Sequence, residues 1–528
     1  MNKYRGQGRA IAAHSGFSRR AFLAQSAAFG ATAPTVGALL ANAAWADTPQ
    51  QGGTLKVGVT GETSDSMDPA RALSIASILC VKSAMEYLVN VTADGQLDYR
   101  MAESAEPSDG GKTWTFKIRQ GVEFHNGKTL TPEDVLKTMQ RHSDETSESG
   151  ALGLMRGVES MKVDGDYFQM TLLSANADLP YLLSDFRLPI QPDGGFDDPK
   201  SGIGTGAYVL DEFEPGVRAT FKKFGNYWKE DEGHFDGLEC LVINDSTARA
   251  AAIQSNQVQA MFPVDPKTAQ LLGRAPNIDV VSAPGGNLVA FVMQTDVAPF
   301  DNPDLRMALK LAVNRQELVD KVFAGLATPG NDFPVNSSYP LFDDSIPQRE
   351  YDVAKAAELY KKSGHDGSPI VLHVSDVAFQ GAVDAASLFQ QSAQAAGIPI
   401  EIKREPSDGY WAEVWQQRPF FATQWGGRPV QDQIYSAGYL SSADFNETHI
   451  RRDDVDEMIL GARGELDPEK RKEIYSKLAY VVRDEGGLIL PVFGNTVSAI
   501  SKQLGGYHEH PALFLMNARI AYECWFKS

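Results

Sequence analysis

The chain has 528 residues and a formal net charge of −19, from 49 Lys and Arg against 68 Asp and Glu. This acidic balance argues against nucleic acid as a partner, because phosphates are bound by neutralising them with Lys and Arg. It equally disfavours a polybasic contact with a membrane.

The chain has three cysteines, Cys80, Cys240 and Cys524. They are too widely spaced for a zinc cluster, and an odd number cannot form a complete disulfide framework. We therefore expect three small buried side chains, with one disulfide as the alternative in an oxidising compartment.

Residues 1–46 have the features of an export signal. The run Ser18-Arg19-Arg20-Ala21-Phe22-Leu23 precedes a weakly apolar stretch that ends in Ala44-Trp45-Ala46. Paired arginines with such a stretch indicate the twin-arginine route to the periplasm, and an ordinary secretory signal is the alternative. No cysteine follows the stretch, and no other segment is long and apolar enough to span a bilayer. We expect a soluble mature protein from residue 47 onward, with a formal charge of about −24 after loss of five basic residues.

Alternating apolar residues predict strands in the first part of the chain. Leu55, Val57 and Val59 share one face, and residues 114–118 alternate in the same way. Further strand-like runs occur at residues 167–173, 219–224, 286–293 and 370–374.

Helix starts are marked by a capping residue followed by proline and an acidic residue. This signature occurs at Thr131-Pro132, Asn302-Pro303 and Asp467-Pro468, and Asn314 begins a further helix closed by Gly325. Since such helices alternate with the predicted strands, the fold class is α/β.

The sequence lacks the motifs of common enzymes. It has no Gly-x-Ser-x-Gly elbow, no His-Glu-x-x-His and no phosphate-binding Gly-x-x-x-x-Gly-Lys. We interpret His508 and His510 as a solvated surface pair rather than metal ligands, and His125 as a structural turn residue. The chain is therefore predicted to be neither an enzyme nor dependent on a metal or cofactor.

An aromatic cluster in residues 410–439 is the best candidate for a ligand-binding wall. It holds Tyr410, Trp411, Trp415 and Trp425. Binding pockets are mainly apolar and aromatic, with a few placed polar groups. The alternative is that Trp411 and Trp415, four residues apart on a helix, face the core.

Trp425-Gly426-Gly427-Arg428 is the most specific part of this cluster. Two glycines let the backbone come close to another surface, beside an aromatic plane and a guanidinium. We expect Trp425 and Arg428 to line a cleft, with Arg428 as a surface or inter-lobe ion-pair residue as the alternative.

Six collinear segments resemble the periplasmic solute-binding proteins that serve peptide, nickel and related ABC importers (family 5). Together they cover nearly all of residues 52–500. The segments are Gly52-Gly53-Thr54-Leu55 with Met67-Asp68-Pro69, Trp114 to Pro132, Gly204-Thr205-Gly206-Ala207-Tyr208, Asn226-Tyr227-Trp228, Pro299-Phe300-Asp301-Asn302 through Asn314-Arg315, and Asp467-Pro468-Glu469-Lys470-Arg471.

The resemblance implies a two-lobed periplasmic binding protein of type II, with an extra subdomain inserted in lobe one. Lobe one is then expected in three pieces, residues 47–93, 205–295 and 490–528. The inserted subdomain takes residues 94–204 and lobe two residues 296–489. Chain crossings near residues 295 and 490 form the hinge.

The sequence departs from the family at Arg428. The peptide-binding members that it resembles carry an aspartate here, which pairs with the α-ammonium of the peptide. Arg428 instead favours a ligand with an anionic group. Asp432 is expected to hold Arg428 in place or to act as a displaced ammonium partner. Similarity of position adds Met67, Asn287 and Asn495 as further ligand-binding candidates.

The resemblance implies the substrate-binding component of an ABC importer. It would capture a small solute, peptide-like or other, in the periplasm and deliver it as a monomer to a permease in the inner membrane. An exported hydrolase and a ligand-presenting sensor or chaperone module are the alternatives. The sequence does not separate peptide, opine, sugar-like or chelated-metal ligands.

Overall fold

The computed structural model describes residues 48–144, 146–511 and 513–527 of the chain. The export signal expected at residues 1–46 therefore lies outside the described residues. None of the helices in the described part is long and apolar enough to cross a membrane.

Helices and strands alternate along the chain, as expected for the α/β class. The helices are α1 (Ile75–Ala84), α2 (Pro132–Ser143), α3 (Leu152–Met155), α4 (Leu179–Leu182), α5 (Ser246–Gln254), α6 (Pro266–Leu272), α7 (Pro303–Leu311), α8 (Arg315–Lys321), α9 (Val353–Lys362), α10 (Ala382–Ala395), α11 (Tyr410–Glu413), α12 (Gln431–Tyr439), α13 (Asp453–Gly464), α14 (Pro468–Glu485) and α15 (Ile520–Glu523). A turn of left-handed residues occupies Phe514–Ala518.

The strands are more numerous and mostly shorter. They are β1 (Thr54–Val59), β2 (Val89–Val91), β3 (Leu97–Tyr99), β4 (Ala102–Ser108), β5 (Thr113–Ile118), β6 (Val158–Asp164), β7 (Tyr167–Leu172), β8 (Tyr208–Glu214), β9 (Arg218–Lys223), β10 (Gly237–Val242), β11 (Ala260–Met261), β12 (Ile278–Met293), β13 (Ala327–Pro329), β14 (Ile370–Val374), β15 (Ile400–Arg404), β16 (Phe420–Trp425), β17 (Leu488–Ser501), β18 (Leu504–Gly505) and β19 (Trp525–Phe526).

The predicted helix starts are confirmed. Asn302 and Asp467 precede α7 and α14, and their side chains accept hydrogen bonds from first-turn N–H groups. Thr131 forms a capping box with Asp134 at the start of α2. Asn314 caps α8 in the same way as Asn302. These local signals fix the helix starts because they satisfy N–H groups that have no partner within the helix.

One sheet of eleven strands extends through both lobes. Its order is β15-β14-β16-β12-β17-β11-β1-β10-β9-β8, and β13 pairs with β17 outside this path. The half that contains β13–β16 and helices α7–α14 shares one core, and we call it lobe two. The half that contains β1, α1, β8–β10 and the C-terminal residues shares another core, and we call it lobe one.

β12 and β17 are the strands that pass from one lobe to the other. The part of β12 from Leu288 onward packs in the core of lobe two, whereas its first part and the end of β17 pack in a smaller core beside lobe one. The register of the pair is interrupted between Ala283 and Asn287. Each strand therefore leaves one core and enters the other near residues 284–286 in β12 and residues 494–496 in β17.

The strand predicted at residues 286–293 is only the second half of β12. Pro284, Gly285 and Gly286 interrupt the apolar alternation, and such residues are unusual inside a strand. Because of this interruption, the first half of β12 was not recognised as part of the same strand from the sequence. The crossing near residues 284–286 thus lies about ten residues before the position near residue 295 that was expected from the sequence.

Residues 94–204, which we call the insert, contain an antiparallel sheet in the order β4-β5-β7-β6 with its own core. Arg100 connects the insert to lobe one. It is fully buried, and its guanidinium lies 2.6 Å from Glu86 and 2.7 Å from Glu232. Arg519 of lobe one pairs with the same two carboxylates. The insert is thus joined to lobe one by a buried network of charged side chains.

The cysteines and His510 are all buried in the structure. Cys80, Cys240 and Cys524 are free and buried, as expected. The surface interpretation is wrong for His510, which is buried with its Nε2 3.0 Å from the carbonyl oxygen of Val91. Within the described residues, no group of three or more His, Cys, Asp or Glu is arranged to hold a metal ion.

Candidate ligand-binding site

Residues Trp425–Pro429, which we call the glycine loop, leave the sheet where β16 ends. Trp425 pairs with Leu288 of β12 in the sheet register. Immediately beyond it, Gly427 lies against Gly286, so a Cβ on Gly427 would be 3.0 Å from the Cα of Gly286. The close backbone approach expected from the two glycines therefore occurs at Gly427. It places the loop beside the strand that joins the lobes.

Two hydrogen bonds hold the backbone of the glycine loop. The N–H of Gly427 donates to Oδ1 of Asn287 at 3.0 Å. The N–H of Arg428 donates to the hydroxyl of Tyr339 at 3.2 Å. Tyr339 is buried, and burial raises its pKa to about 12, so the hydroxyl is neutral. The structure thus brings the candidate Asn287 next to the loop that carries Arg428, and Arg428 itself is held by a tyrosine that sequence reasoning missed.

The side chain of Arg428 is exposed and forms no ion pair with any described residue. Asp432, which was expected to hold it, pairs with Arg463, whose Nε lies 3.0 and 3.1 Å from the two carboxylate oxygens. Asp432 also accepts a hydrogen bond from Ser436 and is buried. The expected contact between Asp432 and Arg428 is therefore absent, and the guanidinium remains available to solvent.

Trp425 and Trp415 converge on a buried carboxyl group. Trp415 Nε1 donates to Glu447, and the hydroxyl of Thr423 donates to the same oxygen at 2.8 Å. Burial raises the pKa of Glu447 to about 7, although hydrogen bonds from Trp415, Thr423 and Trp425 act in the opposite direction. Trp425 also contacts Phe445 edge to face, with ring centroids 6.1 Å apart. Glu447 therefore fixes the orientation of two indoles that the sequence identified.

The remaining aromatic candidates lie at different depths. Tyr410 is 1% exposed, and its hydroxyl donates to the carbonyl of Ala422 at 2.8 Å, so it packs inside lobe two. Trp411 lies on the same short helix, α11, and is 42% exposed. The alternative that Trp411 faces the core is therefore wrong. Trp411 and Trp415 still touch, with ring centroids 6.3 Å apart.

Met67 and Asn495 lie in two different places in the structure. Met67 is buried in the core of lobe one. Asn495 lies on β17, where its side chain accepts from Thr328 and donates to Ser282, both at 3.0 Å. Asn495 therefore ties together β17, β13 and β12 at the crossing between the lobes.

A cleft of about 480 Å³ lies between the insert and lobe two. The insert contributes residues 94–96 and Tyr181, and lobe two contributes Ser337, residues 339–342 and Lys472. Tyr339 belongs to this wall and also accepts the hydrogen bond from Arg428, so it connects the cleft with the glycine loop. The volume is within the usual range of small-molecule sites, roughly 300–1,000 Å³.

The protein has one sheet shared by two lobes, a crossing made by two adjacent strands, and a cleft between the insert and lobe two. These features define a two-lobed binding protein. Residues 96–447 match the family described as bacterial extracellular solute-binding proteins, family 5 Middle. The chain belongs to this family, which confirms the resemblance found in the sequence. Its members are substrate-binding proteins rather than enzymes, and the chain is the substrate-binding component of an ABC importer.

A sequence relative supports the same class, and two solved structures share the fold. The glutathione-binding protein GsiB of Salmonella typhi is 27% identical over 470 residues, which cover 85% of this chain and 91% of GsiB. The structure of HbpA2 from Haemophilus parasuis covers 90% of this chain and all of its own, with a TM-score of 0.81 and 17% identity. DppA from Helicobacter pylori, in complex with the peptide STSA, has a TM-score of 0.69 and 19% identity. It covers 91% of this chain and 99% of its own.

Proposed function

We propose that the protein captures a small solute with an anionic group and that Arg428 binds this group. The observation that carries the proposal is the state of Arg428: its backbone is fixed by Tyr339, and its guanidinium faces solvent without an ion-pair partner among the described residues. A guanidinium on a fixed backbone can bind a carboxylate or phosphate through two parallel hydrogen bonds. Asn287 and Trp425 stand beside it in this proposal.

The sign of the charge at residue 428 limits the ligand. A positive side chain repels the α-ammonium of a peptide, which the aspartate of the resembling peptide-binding members attracts. We therefore infer that a linear peptide is not bound by its N-terminus at this point. Glutathione and the peptide STSA, named with the relatives, both carry carboxylates and are suitable first probes.

Binding is proposed to close the lobes around the ligand. β12 and β17 change core near residues 284–286 and 494–496, so a rotation there moves lobe two against lobe one and the insert. A ligand shifts this equilibrium only if it binds the closed arrangement more tightly than the open one. The permease then recognises the closed shape.

The location of this activity follows from the export signal expected at residues 1–46. We propose export by the twin-arginine route, capture in the periplasm, and transient contact of a monomer with the inner-membrane permease. We expect no chemical change in the bound solute.

The test begins with the natural ligand. Mass spectrometry of small molecules released from protein made in its own host identifies the solute, and calorimetry measures its affinity beside glutathione and STSA. Arg428→Ala is expected to weaken binding of the identified solute at least tenfold, and Arg428→Lys less, because lysine keeps the charge but loses the planar fork. Arg404→Ala removes another exposed arginine of lobe two and is the matched control. Equal affinity of Arg428→Ala and wild type would contradict the proposal.

A further inference from the structure

A group of buried charged residues joins the insert to lobe two. Arg471 on α14 pairs with Asp178, which lies just before α4 of the insert. Asp178 is 3% exposed and Arg471 is 6% exposed. Arg471 also lies over the ring of Tyr475, 5.5 Å from its centroid. The ion pair is therefore shielded from water on both sides of the contact.

A backbone contact lies next to this ion pair. The N–H of Ala177 in the insert donates to the carbonyl of Arg463 at the end of α13, at 2.8 Å. A Cβ on Gly464 would be 3.5 Å from the Cβ of Ala175, so the two segments pass close to each other here. The insert and lobe two thus meet through matched polar and apolar groups.

The contact is connected to the glycine loop. Arg463, whose carbonyl accepts from the insert, binds Asp432 through its guanidinium. Asp432 lies on the first turn of α12, four residues after Arg428. If the glycine loop shifts and moves α12, Asp432 moves with it, and Asp432 contacts Arg463, which touches the insert.

This contact spans the two parts that move in the proposed closure. The insert is joined to lobe one through Arg100, Glu86 and Glu232, so a rotation at the crossing strands separates the insert from α13 and α14. Opening would expose Asp178 and Arg471 to water. A buried ion pair adds little net stability, because its attraction is offset by the loss of hydration of both charges. A buried charge that has lost its partner, by contrast, strongly destabilises the arrangement that buries it. Such a pair can hold a closed arrangement that still opens.

We propose that the Asp178–Arg471 ion pair forms a latch between the insert and lobe two that stabilises the closed arrangement, and that the Asp432–Arg463 pair within lobe two connects this latch to the glycine loop. This inference rests on the lobe closure proposed above, but not on the identity of the ligand. The latch shifts the equilibrium between the open and closed arrangements toward the closed one. It also couples this equilibrium to the position of the glycine loop.

The test measures lobe separation in ligand-free protein of the full mature chain. Cysteines introduced at the exposed positions Ser160 in the insert and Glu401 in lobe two carry spin labels, and the three native cysteines are buried and remain unlabelled. Electron–electron double resonance then gives the populations of short and long distances. We expect wild-type protein to show a short-distance population.

Single and double variants separate a latch from a merely structural role. Asp178→Leu and Arg471→Met each leave one buried charge unpaired in the closed form, so each is expected to reduce the ratio of short to long distances at least tenfold. The double variant removes both charges and is expected to restore the ratio. Lys470→Met, on the exposed face of the same helix, is the matched control and leaves the ratio unchanged.

Three results would overturn the latch. They are a wild-type protein with only the long distance, single variants with the wild-type ratio, and a double variant as open as the single variants. The proposed function fails differently, through loss of ligand binding or of its dependence on Arg428.

Discussion

Oδ1 of Asn287 accepts a hydrogen bond from the backbone N–H of Gly427 at 3.0 Å, so the strand that joins the lobes directly holds the loop proposed to bind the ligand. A rotation of the lobes about this strand therefore changes the surroundings of the loop. This relationship makes the backbone of the loop, and not only its side chains, a determinant of affinity.

Gly427→Ala is expected to weaken binding of the co-purified solute at least tenfold. The added Cβ would lie 3.0 Å from the Cα of Gly286, which is closer than an ordinary van der Waals contact, so the loop must shift. Gly426→Ala is the matched control, since its Cβ would be 3.9 Å from Asn287 Oδ1. Calorimetry on both variants checks the prediction, and equal affinities would count against a fixed loop.

Tyr339→Phe is expected to reduce affinity about fivefold, because the N–H of Arg428 loses its acceptor and one hydrogen bond contributes ~1 kcal/mol. The aromatic ring remains, so the packing of lobe two is kept. Tyr351→Phe removes a hydroxyl that donates to the carbonyl of Ser392, away from the loop, and serves as the control. An unchanged Kd for Tyr339→Phe would show that the loop does not depend on this contact.

Glu447 is expected to make stability fall as the pH rises. Burial raises the pKa of Glu447 to about 7 in the folded protein, from 4.5 for an ordinary glutamate. The folded state therefore binds this proton more tightly than the unfolded state does. Its contribution to stability is lost between about pH 4.5 and pH 7, with a total of ~3 kcal/mol.

Glu447→Gln has no such proton and provides the measurement. The difference in Tm between this variant and wild type is expected to shift in favour of the variant from pH 5 to pH 8, since only wild type must bury a charge at the higher pH. Effects of other titrating groups cancel in this difference. The same difference at both pH values would contradict a raised pKa at Glu447.

Asp332→Ala is expected to destabilise lobe two by about 3–5 kcal/mol. Asp332 is fully buried between Arg315 and Arg349, with nitrogen–oxygen distances of 2.6 and 2.7 Å. Its removal leaves the buried Arg315 without a carboxylate partner and leaves Arg349 with only the half-exposed Asp484. Glu358→Ala breaks an exposed pair with Lys355 and is expected to cost less than about 1 kcal/mol. Denaturant unfolding of both variants checks the prediction, and similar losses would contradict it.

Local signals in the sequence predicted the fold well. Asn302 and Asp467 cap helices through their own first turns, so neighbouring residues suffice to locate them. The glycines of the 425–429 segment likewise predicted a close backbone approach. The sequence did not predict that Gly286 is the residue that Gly427 approaches, because Pro284 and Gly285 interrupt the strand pattern.

The contacts around the site could not be predicted because they join distant parts of the chain. Tyr339 reaches Arg428 across 89 residues, and Arg463 reaches Asp432 across 31. A buried tyrosine and an arginine at a helix end carry no sequence signal for these pairings. Glu447 was missed for the same reason, since only the fold brings its carboxyl group between two indoles.

The chain passes between lobe one and lobe two along neighbouring strands of one sheet, β12 and β17, rather than along separate flexible tethers. A hydrogen-bonded ribbon of this kind resists stretching and shear but twists readily. In the closure proposed above, relative movement of the halves is then restricted mainly to one torsion about these two strands. A membrane partner that senses occupancy would need to distinguish only values along this single angular coordinate.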